Sequence, residues 1–172
     1  MKTQRKIPDE FPNIVYATVT ESAANTLTFQ QIQTGYGSLQ KTGWIVSRIE
    51  YYLSPTDINK IAAADDSIQV ALVTSNLLSS LTLQDASVVD MFELEVLMAT
   101  AVGFAFQPQP LIRDFSSLPG GGRLVLPYPL YLAAKGTSLA TATSPACKIY
   151  FTERDLGDSE WMELVQQTRL LT

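Results

Sequence analysis

Hydrophobic and polar residues alternate with a period of two along much of the chain, which is typical of half-buried β-strands. The pattern predicts strands at 13–20, 25–35, 43–55, 67–75, 90–100, 123–134 and 146–156. A further alternation runs through Val102, Phe104 and Phe106. Helical patterns do not separate these strands, and no segment repeats at a fixed period. We therefore expect an all-β fold, an antiparallel β-sandwich or barrel of eight or nine strands.

The segment before Thr100 has a helical alternative. Residues 90–100 alternate apolar with acidic side chains, as a half-buried strand does, but Glu, Leu, Met and Ala also favour helices. A helix from about Ala86 to Thr100 is therefore the rival interpretation. We predict a short helical turn at Asp85–Asp90 followed by a strand.

The carboxyl-terminal segment has the pattern of an amphipathic helix, which we place at 158–170. Asp158 can cap the first turn, and Arg169 lies near the end, where the helix dipole favours cations. Trp161, Leu164 and Val165 share one face of this helix. We expect this face to dock on the sheet.

The composition limits the chemistry that the chain can perform. Of its 172 residues, 46% are hydrophobic and only 17% charged, below the roughly 25% charged that is average, which suggests a surface covered by a partner. The chain has no histidine, the commonest general base and transition-metal ligand. The single cysteine, Cys147, lies in an apolar strand-like run and is expected to be buried. We expect no cofactor.

The net charge of -5 argues against binding nucleic acid by phosphate neutralisation. Lys2, Arg5 and Lys6 form a small basic cluster that could make a weak or indirect nucleic-acid contact, although a solvated terminus is the simpler interpretation. We expect 1–12 to be a flexible arm and 13–172 to be one domain.

No segment has the pattern of a signal peptide or a membrane span. The first residues reach Asp9 and Glu10 without an apolar core, and the uncharged stretch Val96–Ile112 is interrupted by glycine and prolines. We expect a soluble protein that is made in the cytoplasm and has no transmembrane segment.

The glycine-rich stretch before Arg123 could be a phosphate loop or the entry to a strand. A phosphate loop needs Gly-Lys followed by Ser or Thr and then a helix, whereas here a proline-bearing strand follows. Gly120–Gly122 are better explained by a loop with positive φ angles. Pro127 and Pro129 cannot donate backbone hydrogen bonds, so we place them at a sheet edge.

Three other groups of residues have both a functional and a structural interpretation. Glu93 and Glu95 could be a pair of catalytic carboxylates, but a charged strand face gives the same spacing. Weak metal candidates, for calcium, are Asp57, Asp65 and Asp66. A sugar-stacking platform could be built from Tyr51, Tyr52, Tyr128 and Tyr131, although strand aromatics more often pack.

Three segments together resemble a known family: "LPGGGRLVLPYPLYLAAKGTS", the strand "ACKIYFTERDL" and the helix "DSEWMELVQQTRLL". Their order is similar to the carboxyl half of single jelly-roll capsid proteins of small non-enveloped viruses, and the resemblance covers about residues 86–172. It implies eight strands in two facing sheets and many copies that form a closed, icosahedral shell around a genome. It also implies a virion location after assembly in the host cytoplasm.

Many capsid proteins of this kind have a long basic arm, which this acidic chain lacks. A second coat protein, a separate basic protein, polyamines or an internal membrane layer could take over that role. We expect subunit contacts at the amino-terminal segment, the 107–123 loop and the carboxyl-terminal helix. The interface candidates are Pro108, Pro110, Arg113, Pro127, Pro129 and Trp161.

Two other functions stay open at this point. One is a β-sandwich binding module that recognises glycan or protein, for which a tyrosine or tryptophan cluster on one exposed face would be the indicator. The other is an enzyme that uses Glu93 and Glu95, which the composition favours least.

Overall fold

A computed structural model describes residues 12–37, 40–63, 65–95 and 110–169 of the chain. Within these ranges the secondary structure elements, in chain order, are β1 (Asn13–Thr18), β2 (Thr28–Gln31), β3 (Thr42–Tyr52), α1 (Pro55–Ile58), β4 (Ser67–Val73), β5 (Val88–Glu95), β6 (Leu111–Asp114), β7 (Arg123–Val125), β8 (Tyr131–Thr137), β9 (Ala146–Asp155) and α2 (Asp158–Arg169).

The strands form two antiparallel sheets that face each other. Sheet A has the order β1, β9, β3, and the far edge of β3 pairs with β6 along one half and with β7 along the other. Sheet B has the order β2, β8, β4, β5. If β6 and β7 are counted as one interrupted strand, this is the eight-stranded order of a jelly roll. The prediction of an antiparallel β-sandwich with a short carboxyl-terminal helix is confirmed.

The core lies between the sheets and is built from alternate residues of each strand. Trp44 on β3 stacks on Phe151 of β9, with ring centres 3.7 Å apart, and both rings are buried. Val70 and Leu132 reach the same core from sheet B. Each fully buried side chain of this size contributes about 1.5–3 kcal/mol, so burial of these alternating positions fixes strand register.

Part of the outer face of sheet B is apolar, and a loop covers this part. Ala71 and Val73 point away from the main core and pack with Leu81, from the 74–87 segment between β4 and β5. A strand buried on both faces reads as a continuous apolar run, which explains the sequence of β4.

The predicted strand at 123–134 is wrong, because the chain forms two strands there. β7 ends at Val125, β8 begins at Tyr131, and the two belong to different sheets. Pro127 and Pro129 therefore lie in the crossing between sheets and not on a strand edge. Proline has no backbone N–H and cannot donate a hydrogen bond to a neighbouring strand, so both prolines are compatible with a segment that bends between the sheets. The Tyr128–Pro129 peptide bond is cis.

The rival helix from Ala86 is wrong over the described residues, and the predicted strand is confirmed as far as Glu95. The predicted helical turn at Asp85–Asp90 is shorter than expected, because the strand already begins at Val88. The Val88 N–H donates to the Asp85 carbonyl oxygen at 3.0 Å in a turn, and the chain is extended from Val88 to Glu95. Residues 96–100, the rest of the rival helix, lie outside the described residues, as does the alternation at 102–106.

The carboxyl-terminal helix begins at Asp158, but the residue that caps it is the one before, not Asp158 as predicted. The Trp161 N–H donates to the Gly157 carbonyl oxygen at 2.9 Å, and the Glu160 carboxylate accepts from the Gly157 N–H at 3.3 Å. Gly157 is therefore the capping residue. Asp158 instead forms an ion pair with Lys41 at 2.6 Å.

Candidate functional site

The outer face of sheet A carries a group of aromatic and charged side chains. Successive residues of a strand point to opposite faces, so residues that alternate with core positions point away from sheet B. We call this surface the tyrosine face, and its residues are Ile14, Tyr16, Arg48, Glu50, Tyr52, Ile112, Asp114, Lys148 and Tyr150.

Strand register arranges most of these residues in two rows that cross the sheet. The first row contains, from β1 to β6, Tyr16, Lys148, Glu50 and Ile112. The second row contains, in the same order, Ile14, Tyr150, Arg48 and Asp114. Directly opposed residues in a sheet have Cβ atoms about 4.5–5.5 Å apart, so neighbours within a row can interact.

Glu50 is the buried centre of the tyrosine face, with 5% of its surface exposed. Its carboxylate accepts a hydrogen bond from the Tyr52 hydroxyl and forms an ion pair with the Arg48 guanidinium. The Tyr52 hydrogen bond and the Arg48 charge lower the pKa of Glu50 in spite of its burial. The same hydrogen bond raises the pKa of Tyr52 to about 12.

Two cations cover tyrosine rings on this face. The Arg48 guanidinium carbon lies 5.4 Å from the centre of the Tyr150 ring, and the Lys148 Nζ lies 5.3 Å from that of Tyr52. Both distances are within the roughly 6 Å of a cation–π contact. A sugar could stack on these ring surfaces only by displacing a cation.

Exposed apolar side chains lie at both margins of the tyrosine face. On β1, Ile14 is 58% exposed and Tyr16 is 60% exposed. On β6, at the other margin, Ile112 is 48% exposed. Large apolar side chains that are grouped on one surface mark an interaction site more often than isolated ones do.

An open groove runs along one side of the sandwich. β1 and β2 are edge strands of their sheets in the described part of the chain. The groove between them has a volume of about 360 Å³ and is lined mostly by polar side chains, among them Thr18, Gln30 and Gln33. Edge strands can accept another strand through unpaired backbone groups.

Two arginines close the opposite side of the sandwich. Arg113 on β6 points inward and donates from Nε to the Asp90 carboxylate on β5 at 3.2 Å. The Tyr51 hydroxyl donates to the same carboxylate at 3.1 Å, and burial, with the Asp90 charge, raises the pKa of Tyr51. Arg123 on β7 donates to the Val89 carbonyl oxygen. These contacts join sheet A to sheet B.

A buried carboxylate holds the loops at one end of the sandwich. Glu21 is 3% exposed and accepts hydrogen bonds from the backbone N–H groups of Gly136 and Thr143 at 2.6 and 2.7 Å. It also accepts from the Thr143 hydroxyl at 3.0 Å. The described hydrogen bonds of Glu21 therefore all join parts of the chain to one another.

The aspartates considered for calcium have hydrogen-bond partners of their own. Asp57 is buried, which by itself raises its pKa, but hydrogen bonds from Lys60, Ser54 and Ser144 outweigh this and lower it. Asp66 accepts from the N–H groups of Ala62 and Ala63 at 2.9 and 2.8 Å. Asp65 is exposed and has a positive φ of 68°. In the described ranges, no three His, Cys, Asp or Glu residues form a group that could hold a metal ion.

The other residues proposed for binding or catalysis do not form one site. Glu93 and Glu95 are exposed on β5, where Glu93 accepts a hydrogen bond from Gln69 at 3.0 Å. The four tyrosines considered for sugar stacking are separated: Tyr51 lies in the core, Tyr52 on the tyrosine face, Tyr128 in the sheet crossing and Tyr131 on β8.

Cys147 is buried on β9, and burial raises its pKa to about 12. The thiol is therefore protonated near neutral pH and unreactive. Its place in the core agrees with the expectation from the apolar sequence around it.

The residues predicted for subunit contacts have varied surroundings. Pro110 is exposed, whereas Arg113 reaches inward to Asp90. Pro127 is buried, and it lines one small cavity together with Trp161. Pro129 is half-buried in the sheet crossing. Pro108 lies outside the described residues, and so do the nucleic-acid contact candidates, Lys2, Arg5 and Lys6.

Sequence reasoning missed the tyrosine face. Arg48, Glu50 and Tyr52 alternate with Ile49 and Tyr51, and Lys148 alternates likewise with its neighbours. This period of two predicted strands, but it does not tell which strands are adjacent. The face exists because β9 pairs with both β1 and β3, and that pairing is a property of the whole fold.

No known protein-family model matches the chain, and no curated protein matches its sequence. The fold and the surface therefore define a class only: a jelly-roll β-sandwich with an aromatic and charged outer sheet face. None of the described helices is long and apolar enough to cross a membrane.

Proposed function

We propose that this chain is a structural capsid protein, a jelly-roll subunit that assembles with copies of itself into a closed viral shell. The observation that carries the proposal is the strand order of sheets A and B together with the exposed apolar margins of the tyrosine face. The resemblance of residues 86–172 to small capsid proteins supports it. Jelly rolls also occur in lectins and cupins, so the fold alone is not sufficient.

The described surfaces suit a subunit whose function lies in its contacts. One side of the sandwich is closed by Arg113 and Arg123, and the tyrosine face and the β1–β2 groove are described surfaces open to neighbours. Glu21 holds the loops at one end in fixed positions. Rigid subunits lose little conformational entropy when they associate.

The acidic charge suits a shell that makes weak or indirect contact with its genome. A net charge of -5 repels phosphate, so a second coat protein or another cationic component would neutralise the packaged nucleic acid. In this proposal the protein is located in the virion after assembly in the host cytoplasm.

Electron microscopy of the purified chain tests the proposal. We expect closed particles of uniform diameter that form from the chain alone or after addition of a second coat protein. Dispersed monomers under all conditions of salt, pH and concentration, with and without that second protein, would contradict it.

A second candidate function is a binding module for glycan or protein. The observation that favours it is the exposed Tyr16 ring, which also lines the β1–β2 groove. A glycan array is the test: specific binding that Tyr16→Ala abolishes would support this function. An array without hits would remove the glycan form of this candidate.

A further inference from the structure

The tyrosine face has a distribution of charge that suits contact with a second copy of itself. It contains two cations, Arg48 and Lys148, and two carboxylates, Glu50 and Asp114. The face is therefore neutral in sum, although the whole chain is acidic. Two such faces can approach without the repulsion that two acidic surfaces would have.

The apolar side chains of this face lie at opposite margins. Tyr16 is on β1, Ile112 is on β6, and the same row of the sheet contains both. When two copies face each other across a two-fold axis nearly parallel to the strands, β1 of one copy lies over β6 of the other. The exposed ring of Tyr16 then lies over Ile112 of the second copy, and the contact occurs twice because the axis is two-fold.

The same axis gives favourable partners in the centre of the face. It passes between β9 and β3, so Lys148 lies opposite Glu50 of the second copy in the first row. In the second row Tyr150 lies opposite Arg48 of the second copy, and within one chain Arg48 already covers the Tyr150 ring. Neither row brings two like charges together.

The size of the face predicts a weak interface. Four strands about 4.8 Å apart, with about five residues of each at about 3.3 Å per residue, cover roughly 300 Å² of sheet in each copy. The total of roughly 600 Å² is below the roughly 1,200 Å² of stable specific interfaces and in the range of transient ones. The dimer should therefore depend on protein concentration.

We propose that the tyrosine face packs against the tyrosine face of a second copy around a two-fold axis nearly parallel to the strands. The inference rests on the proposed function, because it names the first contact of the assembling subunits. It specifies which side chains meet: Tyr16 with Ile112 of the second copy.

Cross-linking between single-cysteine variants tests this geometry. Tyr16→Cys and Ile112→Cys place reactive thiols at exposed positions, whereas Cys147 is buried and unreactive. The cross-linker is a bismaleimide that spans about 10 Å, the distance between packed sheets. Measurements use fractions smaller than shells, so that other contacts of an assembled particle do not contribute.

We expect a 1:1 mixture of the two variants to give a covalent dimer of twice the 18.9 kDa chain mass. Each variant alone should give several-fold less dimer, because the two Tyr16 positions of a dimer are about 17 Å apart in this geometry. A mixture of Tyr16→Cys with Leu77→Cys is the matched control, since Leu77 is 78% exposed in the loop between β4 and β5.

The inference is overturned if the mixture yields no more dimer than the control, or if Tyr16→Cys alone cross-links as well as the mixture. Electron microscopy of the unmodified chain separates this result from the proposed function. Shells without the specific cross-link would mean that subunits meet elsewhere, and the cross-link without shells would mean that the dimer is the final assembly.

Discussion

The three consecutive glycines before β7 have two different structural reasons. Gly120 and Gly121 have φ angles of 88° and 78°, which only glycine adopts at low cost, as the sequence predicted. Gly122 has an ordinary φ but lies against β3, and a Cβ atom there would be 2.5 Å from the Val46 carbonyl oxygen. Close approach of two backbones therefore explains the third glycine.

Replacing Gly122 by alanine should destabilise the fold. The new methyl group would collide with backbone rather than with a flexible side chain, so we expect a loss of about 1–3 kcal/mol in the free energy of unfolding, measured by chemical denaturation. Gly37→Ala is the matched control, because no atom lies within 4 Å of its Cβ position. Equal stability of the two variants would show that Gly122 does not lie this close to the backbone of β3.

The hydrogen bond between Tyr52 and Glu50 should appear in an alkaline titration. This hydrogen bond, together with burial and the charge of Glu50, raises the pKa of Tyr52 from the ordinary 10.0 to about 12 in the folded chain. The stability from this contact is therefore fully present below pH 10.0 and is lost as the pH rises through about 12.

The titration compares tyrosinate absorbance of the unmodified chain with that of Tyr52→Phe, so that the difference reports Tyr52. In a Glu50→Gln background the same difference should move towards lower pH, since the carboxylate that disfavours tyrosinate is gone. A Tyr52 titration that Glu50→Gln leaves unchanged would contradict the described arrangement of the tyrosine face.

Strands in which apolar and polar side chains alternate could be predicted from the sequence, whereas strands in which this alternation is broken could not. β9 alternates, and β3 alternates on each side of a bulge between Val46 and Arg48, and the sequence located both strands. β6 was missed as an element because all four of its residues are exposed and Arg113 occupies an inward position. A period-two pattern cannot indicate a strand whose inward residue is charged and paired with Asp90.

Helix α2 contacts the sandwich through apolar side chains and through ion pairs. Trp161 and Val165 line a small cavity with Leu126, and exposed ion pairs join the helix to Lys41 and Arg154 at 2.6 Å each. Exposed ion pairs contribute about 0.2–1 kcal/mol and weaken in salt. Half-burial of the large Trp161 side chain should therefore contribute more to docking than either ion pair.

Trp161→Ala should release the helix without unfolding the sheets. We expect amide hydrogen exchange in α2 to become at least about tenfold faster, because the loss of 1.4 kcal/mol is a factor of ten. The backbone amides of β3 and β9 should remain protected from hydrogen exchange. Met162→Ala is the control, since Met162 is 49% exposed. Equal effects of the two substitutions would place the docking contact elsewhere.

For the whole molecule, the fold class could be predicted from the sequence, whereas the tyrosine face could not. Alternation, the lack of separating helices and the carboxyl-terminal amphipathic pattern were sufficient for a sandwich with one helix. The tyrosine face combines residues of β1, β3, β6 and β9, which are far apart in sequence. Only the strand order brings them together, so residue patterns within one strand could not indicate it.

Self-association of this chain is measured by the mass of the purified unmodified protein in solution. Sedimentation velocity over a concentration series should show the 18.9 kDa monomer converting first to a dimer and then to much larger particles. A single 18.9 kDa species that sediments alike at every concentration and salt condition would contradict self-association.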